Sequence, residues 1–183
     1  LNREAALLFN SGFAANQAVL QALFAKSGNI TSDKLMHASF IDGAMSSPAQ
    51  FRRFAHNNPA HLTELLSKIP STNSLVATES VFSMDGDEAP LKALADIASE
   101  HGSWLMVDDA HGFGVLGEKG LGCAEYVDLS QKDVPVLMGT FGKAVGTAGA
   151  FIAGSRELIA LLINTARHYI YSTAMPPAQA LAT

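Results

Sequence analysis

The chain has 183 residues, 48% hydrophobic and 16% charged, with 12 Lys+Arg against 17 Asp+Glu for a formal net charge of −5. An average soluble domain is roughly a quarter charged, so much of this chain is destined for an interior, which excludes disorder. Basic residues are outnumbered and scattered, with Arg52-Arg53 the only adjacent pair. The stripe that neutralises nucleic-acid phosphates is therefore missing, and no apolar run is long enough to span a bilayer.

Apolar residues at helical spacing (Ala14, Ala18, Leu20, Leu23, Phe24) predict a helix over Ala14–Lys26, just after Ser11-Gly12-Phe13 and closed by Gly28 as a C′ glycine. A short strand is expected around Leu35–Met36, a helix-prone stretch from Ala44 past Phe51, and a helix over Pro59–Ile69. Leu75–Glu79 reads as a buried strand, and Ser80–Pro90 as a polar loop whose Asp85-Gly86 pair marks a turn. Leu91–Glu100 is amphipathic and closed by His101-Gly102, and Trp104–Val107 is an apolar strand that stops at Asp108-Asp109. Val134–Met138 and Ala148–Ala153 are further strands, followed by a helix from Arg156 to about Thr165. This alternation predicts an α/β fold with a largely parallel sheet, in a single domain over residues 1–183.

In open α/β sheets ligands bind beyond the carboxyl ends of the strands. Here those positions are polar: Ser83 follows one strand, Asp108, Asp109 and His111 a second, Thr140 and Lys143 a third. Two glycine patterns imitate nucleotide motifs. Gly112–Gly117 matches G-x-G-x-x-G but runs into Glu118–Gly122 where a dinucleotide fold needs a helix, and Gly142-Lys143 lacks the first glycine and the Ser/Thr of a P-loop. A metal reading of Asp108, Asp109 and His111 lacks a second histidine at coordinating spacing, so no metal is expected. Lys143 lies among Gly142, Ala144, Gly146 and Gly149, and a partly desolvated amine there would serve as a nucleophile for Schiff-base chemistry. The single Cys123 fits a reducing compartment, and a cytoplasmic setting is expected. The chain opens on Leu1 without a signal-peptide pattern and reads as an excerpt.

The segment Trp104–His111 (WLMVDDAH), followed by Gly139–Lys143 (GTFGK), resembles the α-oxoamine synthases, a branch of the pyridoxal-phosphate enzymes with the aminotransferase type I fold. Ser11–Val19 (SGFAANQAV), Asp33–Ser39, Phe51–Asn57, Val81–Asp87 and Tyr171–Gln179 carry the likeness over nearly the whole chain, and the SGFAANQAV and MPPAQ wording favours the biotin-pathway branch. The resemblance implies most of a large domain built as an α/β/α sandwich, with an N-terminal arm and a C-terminal small domain lying outside these 183 residues. It implies pyridoxal 5′-phosphate as cofactor, L-alanine and a pimeloyl thioester (coenzyme A or acyl carrier protein) as substrates, and a homodimer with shared sites.

Residue by residue, Lys143 matches the lysine that carries the cofactor, Asp108 the carboxylate at the pyridine nitrogen, and Thr140 a phosphate ligand. His111 and Ser83 match groups bordering the phenolic oxygen, and His37 the imidazole that stacks on the ring and meets substrate. Gly12 and Phe13 match phosphate donors, and Ser172 and Thr173 match residues that, in the family, reach the cofactor phosphate of the neighbouring subunit. Asp109 is expected to be a bystander. Sister activities such as glycine C-acetyltransferase and 5-aminolevulinate synthase share the Asp–His and lysine motifs. An NAD-dependent oxidoreductase using Gly112–Gly117 and a non-catalytic partner subunit are the readings from other classes, and the intact Lys143 argues against the second.

Overall fold

A computed structural model describes residues 1–70 and 72–183. Its elements run β1 (Ala5–Phe9), α1 (Gly12–Leu23), β2 (Asn29–Asp33), α2 (Ala38–Ser46), β3 (Gln50–Phe54), α3 (Pro59–Leu66), β4 (Ser74–Glu79), α4 (Leu91–Glu100) and β5 (Trp104–Asp108). They continue with α5 (Cys123–Tyr126), β6 (Val136–Thr140), β7 (Ala150–Gly154), α6 (Arg156–Thr165), α7 (Arg167–Ile170) and α8 (Pro177–Ala182). The seven strands form one sheet in the order β1-β7-β6-β5-β4-β2-β3. Pairings among β3, β2, β4, β5 and β6 are parallel, whereas β7 runs antiparallel between β6 and β1, which gives the largely parallel sheet that the alternation predicts.

Strand parity sorts the core into two layers, because successive side chains leave a strand on opposite faces. Leu75, Ala77, Met106, Val136 and Met138 pack with Ala15, Val19 and Leu20 of α1 and Leu158 and Leu162 of α6. Val76, Leu105, Val107 and Leu137 pack on the other face with Leu62 and Leu66 of α3 and Leu94 and Ala98 of α4. Both faces are thus covered by helices, the condition under which nearly continuous apolar strands are stable. Following the same parity one step beyond the apolar run, Glu79, Asp108 and Thr140 leave the sheet on the α1 side, at its carboxyl edge.

Three sequence expectations are corrected. The strand expected around Leu35–Met36 lies earlier, at Asn29–Asp33; every residue of this NITSD segment is buried, and only one is apolar. Its polarity is used: Asp33 accepts from the backbone N–H groups of Leu35 (2.8 Å) and Asn57 (2.8 Å) and contacts His56 Nδ1 (3.0 Å). The helix-prone stretch from Ala44 past Phe51 divides into the end of α2 and the strand β3, since Ser47 and Pro48 separate them and Gln50–Phe54 pairs with β2 in parallel register. Gly28 is not a C′ glycine. The first helix ends at Leu23, capped through Phe24 N–H to Leu20 O, and Gly28 (φ +148) sits where a side chain would collide with the Asn73 carbonyl. The strand β1 carried no expectation.

His56 ties the loop after β3 to two acidic positions. Its Nδ1 lies 3.0 Å from Asp33 and its Nε2 2.6 Å from Asp87, with the ring edge-on to Phe82. Burial works against its charge, but hydrogen bonds and charge from Asp33 and Asp87 outweigh that penalty and raise its pKa. The imidazolium contribution is complete below the unfolded value of about 6.5 and fades as pH rises through the raised folded value. His56→Ala is therefore expected to lose about 1–2 kcal/mol more stability at pH 6 than at pH 9 in urea unfolding of the full-length protein. Equal losses at both pH values would contradict a charged His56.

Candidate active site

A cavity of about 200 Å³ opens at the carboxyl edge of the sheet, lined by Gly12, Phe13, His37, Ser39, Glu79, Asp108, Ala110, Met138, Thr140 and Lys143. Strand ends supply Glu79, Asp108 and Thr140, and the start of α1 supplies Gly12 and Phe13. Ser11 caps α1 by accepting from Ala14 N–H (3.2 Å), which leaves the first-turn amides and the positive end of a 12-residue helix beside the cavity, a setting that favours an anion. A side chain at Gly12 would stand 3.1 Å from the Met138 methyl group, so glycine keeps this approach open.

Asp108 is 3% exposed, and its carboxylate is held by neutral donors: Asn16 Nδ2 (2.9 Å) and Ala110 N–H (3.1 Å). It forms no ion pair among the described residues. A buried negative charge satisfied only by dipoles calls for a cationic partner. Glu79 is directly opposite Asp108 in the parallel register of β4 and β5. Burial, then the Asp108 charge, pushes its carboxyl up to about 7, with Lys143 pulling the other way.

This raised value makes ionised Glu79 a destabilising element. Below the ordinary carboxylate range the folded and unfolded states are both protonated; between about 4.5 and 7 the folded state holds the extra proton, so stability falls as pH rises. Glu79→Gln in the full-length, cofactor-free protein is expected to be more stable than its parent by about 1–3 kcal/mol at pH 8, with the gap closing toward pH 4.5. Denaturant unfolding at the two pH values checks this, and a gap independent of pH would contradict it.

His37 caps α2. The Ser39 backbone N–H donates to its Nδ1 (3.2 Å), and Ser39 Oγ lies 2.8 Å from the same atom. A backbone N–H can only donate, so in the neutral ring the proton resides on Nε2. His111 does not line the cavity but senses it: burial, then Lys143, lowers its pKa against the opposing pull of Asp108. That shift favours its neutral form beside the site.

Lys143 lies in the hairpin between the antiparallel strands β6 and β7, closed by Phe141 N–H to Gly149 O (2.9 Å) and Thr147 N–H to Phe141 O (2.9 Å). A P-loop lysine opens a helix after a parallel strand, so this geometry excludes the phosphate-loop imitation. Thr140 Oγ1 donates to Gly149 O (2.8 Å) and accepts from Gly142 N–H (3.2 Å), bracing the hairpin. Phe141 and Phe113 both pack on Phe151, at 5.5 and 5.1 Å between centroids, which fixes the hairpin from beneath. One expectation needs correction. Lys143 is exposed rather than partly desolvated, because the hairpin stands on the outer rim of the cavity.

The Gly112–Gly117 loop is not a nucleotide cradle. Asp109, 1% exposed, accepts from Cys123 N–H (2.9 Å), and side chains at Gly112 or Gly122 would collide with its carboxylate, while one at Gly117 would collide with Glu125. The glycines exist to wrap backbone around two acids. Asp109 is therefore a structural anchor, and burial pushes its carboxyl up to about 6. Ser83, in the turn where Gly86 N–H meets Phe82 O (2.8 Å), is exposed and outside the cavity. Ser172 and Thr173 also stand apart from it; Thr173 O accepts from Asn10 Nδ2 (2.8 Å). Among the described residues no group of three or more His, Cys, Asp or Glu is arranged to hold a metal ion, and no helix is long and apolar enough to cross a membrane.

Sequence reasoning missed Glu79, Asn16 and Ser39. The signal for Glu79 was its place at the end of β4; Asn16 and Ser39 lie on helix faces, where one polar residue carries no signal until the helices are packed.

The aminotransferase class I and II family matches residues 1–183. An 8-amino-7-oxononanoate synthase from Thioalkalivibrio sulfidiphilus is 54% identical over the whole chain, which spans 47% of that protein. The chain thus covers about half the length of the curated relatives it matches. A serine palmitoyltransferase from S. paucimobilis, solved with a bound PLP–myriocin aldimine, superposes with a TM-score of 0.93 at 32% identity, covering 98% of this chain and 47% of that one. An 8-amino-7-oxononanoate synthase from Francisella tularensis superposes with a TM-score of 0.86 at 39% identity, covering 99% and 52%.

Proposed function

The chain belongs to the aminotransferase class I and II family, and from that membership we propose that it forms most of the cofactor-binding large domain of a pyridoxal-phosphate-dependent 8-amino-7-oxononanoate synthase. The reaction joins L-alanine to a pimeloyl thioester, releasing carbon dioxide and free coenzyme A or acyl carrier protein, in biotin synthesis in the cytoplasm. One observation carries this reading: a buried carboxylate, Asp108, held only by neutral donors, shares a cavity with a lysine and with the amino end of a helix. These features match a ligand that is cationic at one end, anionic at the other, and reactive toward an amine.

The residues present fit pyridoxal phosphate. When bound, it supplies an electron sink, its protonated ring withdrawing the electron pair left at the amino-acid α-carbon. Asp108 would hold a negative charge against the ring nitrogen. The free amides of Gly12 and Phe13 at the start of α1 would bind the phosphate. Thr140, whose hydroxyl is already engaged with Gly149 and Gly142, holds the lysine hairpin beside that phosphate. Lys143 Nζ would hold the aldehyde between turnovers and would move the substrate α-proton. His37 would cover the ring face and meet substrate, offering Nε2–H, and His111 would border the phenolic oxygen together with Ser83, both of which lie outside the cavity lining. Ser172 and Thr173 serve the neighbouring subunit's site in a homodimer, which accounts for their distance from the cavity of their own chain.

The test uses the full-length protein with pyridoxal phosphate. L-Alanine with pimeloyl-coenzyme A or pimeloyl-acyl carrier protein is expected to yield 8-amino-7-oxononanoate and one equivalent of carbon dioxide. Turnover of glycine with acetyl- or succinyl-coenzyme A in preference to these would overturn the assignment.

A further inference from the structure

Beneath the cavity floor, residues from three distant stretches of chain form one directed hydrogen-bond path. Asn16, on α1, is fully buried and does not line the cavity. Its Nδ2 lies 2.9 Å from Asp108 Oδ2 and 2.9 Å from Ser39 Oγ, which commits both amide protons. Asp108 as a carboxylate can only accept, so the amide orientation is fixed by chemistry. Ser39 Oγ, accepting from Asn16, has its own proton left to give. The acceptor at hand is His37 Nδ1, 2.8 Å away, already receiving the Ser39 backbone N–H. Every step therefore has a direction: Asn16 donates to Asp108 and to Ser39, and Ser39 donates to His37. With Ser39 1% exposed, reversing any step strands a buried donor or acceptor.

We propose that Asn16 is a positioning residue that couples Asp108 to His37, aiming the carboxylate into the cavity and, through Ser39, holding His37 as the Nε2–H tautomer. The consequence for cofactor binding rests on the pyridoxal-phosphate reading given above; the coupling itself does not. An asparagine that merely joins α1 to α2 would leave the His37 proton where it is when replaced. A coupling asparagine would not, because without its amide both lone pairs of Ser39 Oγ are open to His37 Nδ1–H, which then competes with the Ser39 backbone N–H that favours the Nε2–H form.

The experiment uses the full-length protein labelled with ¹⁵N-histidine, first without cofactor, with the His37 signals assigned by their loss in His37→Gln. In the parent, His37 Nδ1 is expected to show the shift of an unprotonated nitrogen. Asn16→Leu, which keeps the branching at Cγ and has no donors, is expected to enlarge the Nδ1–H population about threefold. It is also expected to weaken pyridoxal phosphate binding about tenfold through the lost hydrogen bond to a charged carboxylate. Asn16→Ala, which removes the amide and leaves the Ser39 hydroxyl in place, provides a second variant should Asn16→Leu not fold, and is expected to move the His37 tautomer in the same direction. A parent His37 protonated on Nδ1, or tautomer populations unchanged in a folded variant, would overturn the proposal. A tautomer shift in a protein that binds no pyridoxal phosphate would uphold the coupling while refuting the cofactor assignment.

Discussion

Lys143→Ala in the full-length protein loaded with pyridoxal phosphate is expected to lower kcat by at least about 10³-fold, because the proposed function asks one amine both to carry the cofactor and to move the α-proton. Lys143 is the lysine among the cavity-lining residues, and its hairpin is braced by Thr140 and by the Phe113–Phe151–Phe141 stack. Substitution at the exposed rim removes no buried contact, so melting of the cofactor-free protein is expected to change little. Lys143→Arg separates charge from chemistry: it keeps the positive charge near Glu79, but a guanidinium does not deprotonate to a nucleophile, so turnover stays lost. Steady-state kinetics check both variants, and a kcat within tenfold of the parent in either would contradict the role.

Asp108→Asn is expected to lower kcat by about 10²–10³-fold while leaving the cavity's shape nearly intact. In the proposed function the carboxylate would face the ring nitrogen, and its charge would keep that nitrogen protonated and electron-withdrawing. The substitution also reports on itself elsewhere. Glu79 titrates near 7 because of burial and, next in size, the Asp108 charge beside it in register, so neutralising position 108 is expected to bring Glu79 down toward the ordinary carboxylate range. A ¹³C titration of the Glu79 carboxyl in the cofactor-free protein reads this directly. An unmoved Glu79 together with a kcat within threefold of the parent would contradict the electrostatic account of the site.

Much of the sheet was legible in the chain because its strands are apolar on both faces: LVAT, WLMV, VLM and AFIA declare themselves through burial alone. The strand β2 did not, because Asn29, Thr31, Ser32 and Asp33 are buried by partners that only folding supplies, among them His56 and Asn57. The boundary between α2 and β3 was hidden for a related reason: a half-buried edge strand with two arginines has no apolar run to mark it. At the site, Asp108 stood out because a charge at the end of an apolar strand breaks a strong pattern, and Lys143 because it lies among Gly142, Ala144, Gly146 and Gly149 beyond the end of another. Glu79 ended such a strand as well, yet its partnership with Asp108 is a matter of register between strands, and register is not written in either strand by itself. Asn16 and Ser39 were invisible for the same reason one level higher, since their meeting depends on how two helices pack over the sheet.

The most direct test of the account is chemical. The full-length protein is incubated with pyridoxal phosphate, reduced with borohydride to trap any imine, digested, and mapped by mass spectrometry. The account predicts a pyridoxyl adduct on the peptide containing Lys143, and its loss in Lys143→Ala. An adduct confined to other lysines, or none at all in protein that binds the cofactor, would contradict it.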